Sequence, residues 1–133
     1  MRLLLDTHIL LGLLKETLEA TAPSVAAAMA RPDIDVCVSA ASLWEIAIKT
    51  RLGKLEPGMP LNLLPQAITA MGFTLLPITA SHALAEISPL PATRDPFDRL
   101  LLAQCIVEDR RLVTLDHALA DHPFAARLTP IIE

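Results

Sequence analysis

Four short, mostly apolar runs recur along the chain, and they constrain its fold more than any other feature. They cover residues 2–5, 34–38, 73–76 and 112–115. A continuous apolar run of about four to eight residues is typical of a strand that is covered on both faces. Longer segments with helical periodicity separate these runs. The chain is therefore predicted to alternate strands with helices around a mostly parallel sheet.

Capping residues and periodicity place the intervening helices. We predict helices over residues 9–14, 20–31, 39–52, 61–71, 81–87 and 117–120, and a further helix that starts at Pro96 and ends before a charged turn at 108–111. A proline-stiffened loop, residues 88–93, precedes this last helix. Residues 128–132 are a candidate edge strand.

Length and composition indicate one domain over residues 1–133. The chain is 53% hydrophobic and 20% charged, which suffices for one proper core. No charge-free apolar run reaches the roughly 18 residues that span a bilayer, and the chain start lacks a cleavage signature, so we expect a soluble cytoplasmic protein without a membrane partner. Cys37 and Cys105 are isolated, which predicts two buried free thiols.

The net charge of -4 argues against a broad nucleic-acid-binding surface. It is compatible with a nucleic-acid enzyme whose clustered carboxylates are neutralised by divalent cations. The aromatic residues are one tryptophan and three phenylalanines, without any tyrosine. An extended base-stacking platform therefore has little material.

Two aspartates follow predicted strands. Asp6 ends the first apolar run and Asp116 ends the last. Open parallel sheets bind ligands outside the carboxyl ends of their strands, which makes both residues candidates for a functional site. Each aspartate is equally well interpreted as a cap on the helix that follows it.

A third acid, Asp98, falls in the first turn of a predicted helix. Asp95 and Pro96 are typical of a helix start. Apolar residues lie three, four and seven positions after Asp98 on the same face, namely Leu101, Leu102 and Cys105. That stripe is predicted to face inward, so the carboxylate needs a cation or hydrogen-bond donors. The alternative is that both aspartates merely cap the helix and suit its dipole.

Glu45 is a fourth acid on an otherwise apolar stripe. The other members of the stripe are Ala41, Ile48 and Leu52. This spacing predicts an inward carboxylate near the start of a helix that follows a strand. The alternative is an ion pair between Glu45 and Lys49, four residues apart on a solvated face.

The strand-to-helix turns of a parallel sheet emerge at one edge, so the four acids are expected to converge there. Like charges at such short distances repel one another. A group of four carboxylates at one edge therefore indicates that a hard divalent cation binds there. Oxygen ligands favour magnesium or manganese. Candidate phosphate contacts, or else surface charges and structural partners of the acids, are Arg99, Lys49, Arg51 and Arg94.

Four segments together resemble the PIN-domain ribonucleases, specifically the VapC-type toxins of toxin–antitoxin pairs. They are LDTH at residues 5–8, SLWEIAIK at 42–49, DPFDRLLLAQ at 95–104 and LVTLD at 112–116. The resemblance covers nearly the whole chain. Each motif is weak alone, but the ordered set with its spacing is fairly specific.

The resemblance implies a three-layer α/β/α fold with a central, mostly parallel sheet, and a magnesium- or manganese-dependent endoribonuclease. By position, it makes Asp6, Glu45, Asp98 and Asp116 the catalytic and metal-binding acids, with Asp95, Thr114 and Arg99 as secondary candidates. It also implies an RNA substrate, a homodimer, and a cognate VapB-like antitoxin whose C-terminal segment lies across the active-site groove. Many similar sequences have a histidine just before residues 94–98, where this chain has Ala92 and Thr93. This departure leaves the substrate more open than the metal site.

Two interpretations from other classes stay open. A phosphohydrolase or phospho-acceptor domain would use Asp6 as its nucleophile. The haloacid-dehalogenase type favours a second carboxylate two residues later, where this chain has His8. The other interpretation is a non-catalytic module whose acids bind a basic partner peptide.

Overall fold

A computed structural model describes residues 1–128 of the chain. The elements follow in the order β1 (Arg2–Leu5), α1 (Thr7–Leu14), α2 (Leu18–Thr21), α3 (Pro23–Met29), β2 (Asp35–Ser39), α4 (Ala40–Arg51), α5 (Leu64–Ala70), β3 (Thr74–Leu76), α6 (Ala80–Leu84), α7 (Pro96–Glu108), β4 (Arg111–Val113) and α8 (His117–Ala120). A single 3₁₀ turn, Leu61–Leu63, leads into α5. Strands and helices thus alternate as the apolar runs predicted.

The four strands form one parallel sheet in the order β3-β2-β1-β4. The N-terminal strand β1 is central, and its Leu4 pairs with Cys37 of β2 on one side and with Leu112 of β4 on the other. Because all strands run the same way, their C-terminal ends meet at one edge, which we call the carboxyl edge.

Helices cover both faces of the sheet. On one face Leu3 and Leu5 pack in a core with residues of α1 to α5. On the other face Leu4 packs with Leu101 of α7 and Leu119 of α8. Successive strand residues point to opposite faces, so an uninterrupted apolar run fills both cores. The predicted three-layer α/β/α fold is confirmed.

A buried hydrogen-bond network fixes the start of α4 against α7. The Ser39 hydroxyl accepts from the Ala41 amide at 2.9 Å and donates to Gln104 Oε1 at 2.5 Å. Behind it, His82 accepts from the Thr79 amide through Nδ1 at 3.0 Å, which leaves Nε2 to donate to Glu108 at 2.8 Å. The network holds α4, which carries Glu45, in a fixed position.

At the opposite edge, the predicted charged turn contains a buried side chain. Arg110 is only 6% exposed. Its guanidinium donates to the Leu3 carbonyl at 3.1 Å and to Asp35 Oδ1 at 3.2 Å. A buried charge that is paired and hydrogen-bonded can be accommodated, so Arg110 ties β1 to the start of β2.

Several predicted boundaries are wrong in informative ways. The helix predicted over 20–31 is two helices that meet at Ala22, because Pro23 cannot continue a preceding helix but suits the first position of a new one. The strand predicted to end at Leu115 ends at Val113. Leu52, assigned to the inward stripe of α4, is 63% exposed. Of the candidate strand over residues 128–132, Leu128 belongs to no strand. The other residues lie outside the part of the chain that the structure describes.

Two further predictions concern the thiols and the membrane. Both cysteines are free and buried, as predicted. Among residues 1–128, no helix is long and apolar enough to cross a membrane.

Candidate active site at the carboxyl edge

Asp6 lies between the end of β1 and the first turn of α1. Its backbone amide donates to the Val113 carbonyl at 3.0 Å, and its carboxylate accepts from the Ile9 amide at 2.8 Å as the helix cap. The side chain is nonetheless buried at the sheet edge, with 4% exposure. Burial raises the pKa of Asp6, the Thr114 side chain opposes that rise, and Asp116 adds to it. The predicted helix cap is therefore present, and the same carboxylate lies at the sheet edge where a site residue was expected.

Glu45 is buried to the same degree and has two partners. The Thr7 hydroxyl donates to its Oε1 at 2.6 Å and lies 3.1 Å from Ser42 Oγ. The Lys49 ammonium pairs with its Oε2 at 2.5 Å, and this hydrogen bond raises the pKa of Lys49. The ion pair that was the alternative interpretation of Glu45 thus exists, but on the inner side of α4.

Asp98 stands half-buried at the start of α7. The Thr93 hydroxyl donates to its Oδ2 at 3.1 Å. The pKa of Asp98 is raised to about 6, mainly because burial removes the carboxylate from water. The charges of Asp95, Asp116 and Glu45 contribute to this rise, and the Thr93 hydrogen bond opposes it. A cation close to this carboxylate would stabilise its charged form.

Asp95 and Asp116 are both helix caps. The Asp95 carboxylate accepts from the Phe97 amide at 2.8 Å, and Asp116 accepts from the Ala118 amide at 2.9 Å. Asp116 is exposed and does not directly end its strand, since Thr114 and Leu115 intervene; the prediction that it does is wrong.

A surface pocket of about 300 Å³ opens between the first and last strands at this edge. Its lining consists of Asp6, His8, Leu115 and Asp116. Asp6 thereby borders open space despite its burial. A small hydrated cation or a phosphate group has access to its carboxylate from this pocket.

The basic residues near the site have unequal roles. Arg99 donates through Nε to the Thr93 carbonyl at 2.9 Å, so it holds the loop that orients Asp98. Lys49 pairs with Glu45, and the charges of Asp95 and Asp98 also raise its pKa. Arg51 and Arg94 are exposed.

The carboxylates suit a divalent cation because they are negatively charged and offer oxygen ligands. They affect one another electrostatically in pairs and do not surround one common point. Among residues 1–128, no three His, Cys, Asp or Glu side chains already stand close enough to hold one ion. The charge of Asp116 nevertheless raises the pKa of both Asp6 and Asp98, and the charge of Glu45 raises the pKa of Asp98. A cation would relieve this mutual repulsion, and carboxylate oxygens are the ligands that magnesium and manganese prefer.

The family model of the PIN domain matches residues 3–125, which include all four acids. The chain belongs to the PIN domain family. One solved structure with a similar fold is VapBC2 from Rickettsia felis bound to a DNA fragment from its promoter. It is 14% identical with a TM-score of 0.63, and the alignment covers 94% of this chain and 96% of that one. No curated protein gives a significant match.

In this PIN domain, the sequence analysis missed the hydroxyl groups that orient the acids. Thr7 directly follows Asp6, and Thr93 stands where the histidine of similar sequences was expected. Serine and threonine are common at caps and turns, so their side chains carry little signal in a single sequence. The position of Thr7 beside a strand-end aspartate was the available clue.

Proposed function

We propose that this PIN domain is a divalent-metal-dependent endoribonuclease, a VapC-type toxin, with Asp6, Glu45, Asp98 and Asp116 as its catalytic and metal-binding acids. The observation that supports this most is the half-buried position of the Asp98 carboxylate at the start of α7. Burial raises its pKa most, and the charges of Asp95 in the same segment, Asp116 and Glu45 raise it too. Carboxylates gathered in this way are typical of a site that works with a bound cation.

Magnesium or manganese, when bound, would lower the pKa of a water molecule and stabilise charge on the phosphodiester. The chain's own residues supply the positions. Thr7 holds Glu45 and Thr93 holds Asp98, so neither carboxylate has to be ordered when a cation arrives. Asp95 raises the pKa of Asp98, and Thr114 lowers the pKa of Asp6. Arg99 fixes the loop before α7 through its hydrogen bond to the Thr93 carbonyl.

Lys49 offers a defined role in substrate binding. Its ammonium pairs with the Glu45 carboxylate. If Glu45 held a cation instead, the Lys49 ammonium would be released from this carboxylate, and its N–H donors would be available to a phosphate oxygen. The PIN domain would therefore exchange an internal ion pair for a contact to RNA.

The proposed partner is a VapB-like antitoxin, and the proposed assembly is a homodimer of the toxin. The similar structure from Rickettsia felis is a VapBC2 assembly, which supports a partner of this type. The acids of the carboxyl edge would attract an arginine, whose fork pairs with a carboxylate through two hydrogen bonds.

The phosphohydrolase alternative has less support from the site. The haloacid-dehalogenase type favours a second carboxylate two residues after the nucleophile, and His8 stands at that position here. We therefore assign Asp6 to cation binding.

The test is cleavage of a single-stranded RNA by the purified protein with manganese or magnesium. Asp98→Asn preserves the shape and the acceptor for Thr93 but removes the charge, so we expect cleavage to fall by at least about 100-fold, a loss of about 2.7 kcal/mol in transition-state stabilisation. Asp33→Asn is the matched control, because Asp33 is exposed and lies before β2 at the opposite edge. Equal cleavage by the two variants would remove Asp98 from the site.

A further inference from the structure

An aromatic pair, made of an exposed tryptophan and a half-buried phenylalanine, joins α4 to the start of α7. Trp44 and Phe97 meet edge to face, with ring centroids 5.7 Å apart and an angle of 75° between the planes. Trp44 is 60% exposed although the residues on either side of it on α4 pack inward. The contact with Phe97 fixes the indole while most of its surface stays in water.

The pair stands next to the acids in the chain and in space. Trp44 directly precedes Glu45, and Phe97 directly precedes Asp98. Lys49 pairs with Glu45 and feels the charges of Asp95 and Asp98, so α4 and the first turn of α7 lie side by side here. The indole therefore lies on the helices that carry Glu45 and Asp98.

The geometry points to Trp44 as a stacking surface for one nucleobase of the RNA, next to the phosphodiester that the acids would act on, with Phe97 as the residue that positions the indole. This inference rests on the proposed endoribonuclease function and adds the way in which the substrate is held. Stacking on an indole needs no base-specific hydrogen bond, so the contact would accept every base.

Charge and size favour a nucleotide over an apolar protein segment. The last turn of α4 carries Lys49 and Arg51, and the exposed Arg94 precedes α7, so both segments that carry the pair also carry cations. Cationic side chains suit the phosphates that flank a stacked base. A pair of rings offers the area of about one base, whereas a stable protein interface buries on the order of 800 Å² on each partner.

Trp44 is the only tryptophan and the chain has no tyrosine, so intrinsic fluorescence reports on this residue alone. The probe is an eight-nucleotide oligoadenylate, and the matched control is the same ribose-phosphate chain without bases. Both are titrated with magnesium into the Asp98→Asn protein, which limits cleavage. We expect the oligoadenylate to quench Trp44 several-fold more than the abasic chain. Equal quenching by both, or quenching only by a basic peptide, would overturn the assignment.

A kinetic comparison tests the same contact in the active protein. Trp44→Ala should raise KM for RNA by about 5- to 150-fold with little change in kcat, because stacking is made equally in the ground and transition states. Trp44→Phe should restore part of the loss. Leu52→Ala is the control, since Leu52 is an equally exposed apolar residue at the end of the same helix. An unchanged KM in Trp44→Ala, with its melting temperature preserved, would contradict the inference.

The two proposals can fail separately. Absence of cleavage by the wild-type protein would reject the ribonuclease and leave the fluorescence result to decide on base stacking. Cleavage that is indifferent to Trp44, with no base-dependent quenching, would reject the stacking role and leave the acids in place.

Discussion

The Asp98 carboxyl group links the proposed chemistry to stability. Burial raises its pKa to about 6 in the folded protein, against an ordinary value of 3.8 for an aspartate. Between these two values the folded state binds the proton and the unfolded state does not, so stability falls as the pH rises from about 4 to 6. Above pH 6 the loss is complete, and below pH 4 it is absent.

We predict that Asp98→Asn is more stable than the wild type in the absence of metal at pH 7, by about 1–3 kcal/mol. The advantage should vanish near pH 4. Urea unfolding in a chelator across this pH range measures it. Asp33→Asn should show no such gain, because a hydrogen bond from Arg31 lowers the pKa of Asp33 and its charge is therefore favourable in the fold. An advantage for Asp98→Asn that is constant with pH would point to packing instead of charge.

At this scale, the sequence indicated four candidate acids but not the side chains that hold them. Asp6 and Glu45 were visible because a strand end and an apolar stripe made their charges conspicuous. The partners Thr7 and Thr93 were not predicted, because a hydroxyl side chain does not interrupt the hydrophobic pattern of the sequence. Arg110 was placed in a solvated turn because nothing local shows that two distant strands receive its hydrogen bonds.

Among the elements, α7 connects the site to the core most directly. Its first turn carries Asp98, and Leu101 one turn later is 1% exposed between the helix and the sheet. We predict that Leu101→Ala lowers the free energy of unfolding by about 2–5 kcal/mol. Val107→Ala, at a 42% exposed position of the same helix, should cost under about 1 kcal/mol. Chemical unfolding of both variants measures the difference, and equal costs would mean that the inward stripe has been misassigned.

Element types were predictable where a period was long or a cap was strong, as in α4 and α7. Boundaries failed where two local rules competed. Alanine-rich sequence favoured one helix over 20–31, but Pro23 imposed a new start. The apolar Leu115 suggested a longer strand, but β4 stops where its pairing with β1 stops, at Val113.

For the whole molecule, the proposed site should couple cation and partner. We predict that millimolar manganese raises the melting temperature, because a ligand that binds only the folded state stabilises it by RT ln(1 + [L]/Kd). The same ion should weaken the binding of an isolated arginine-containing antitoxin peptide, as should Asp98→Asn or Glu45→Gln. Calorimetry measures the peptide affinity. An affinity unchanged by manganese and by both substitutions would place the partner on another surface.

The parallel sheet and its two covered faces were predictable, because apolar runs without alternation fit only a strand buried on both sides. The strand order was not. Nothing local in residues 2–5 shows that they pair with both β2 and β4 and become the centre of the sheet.

That central position has a consequence for how the protein is made. The strand β1 is synthesised before both of its partners, so it can pair with β2 before β4 exists, but its Leu3 must wait for Arg111 to complete the pairing. Parallel pairing over such a separation is slow, because the loop must close before any contact rewards it. Asp6 and Glu45 are thus synthesised before Asp98 and Asp116. A chain released between α4 and α7 would carry only half of the acid set, so the proposed nuclease requires synthesis to continue through Asp116.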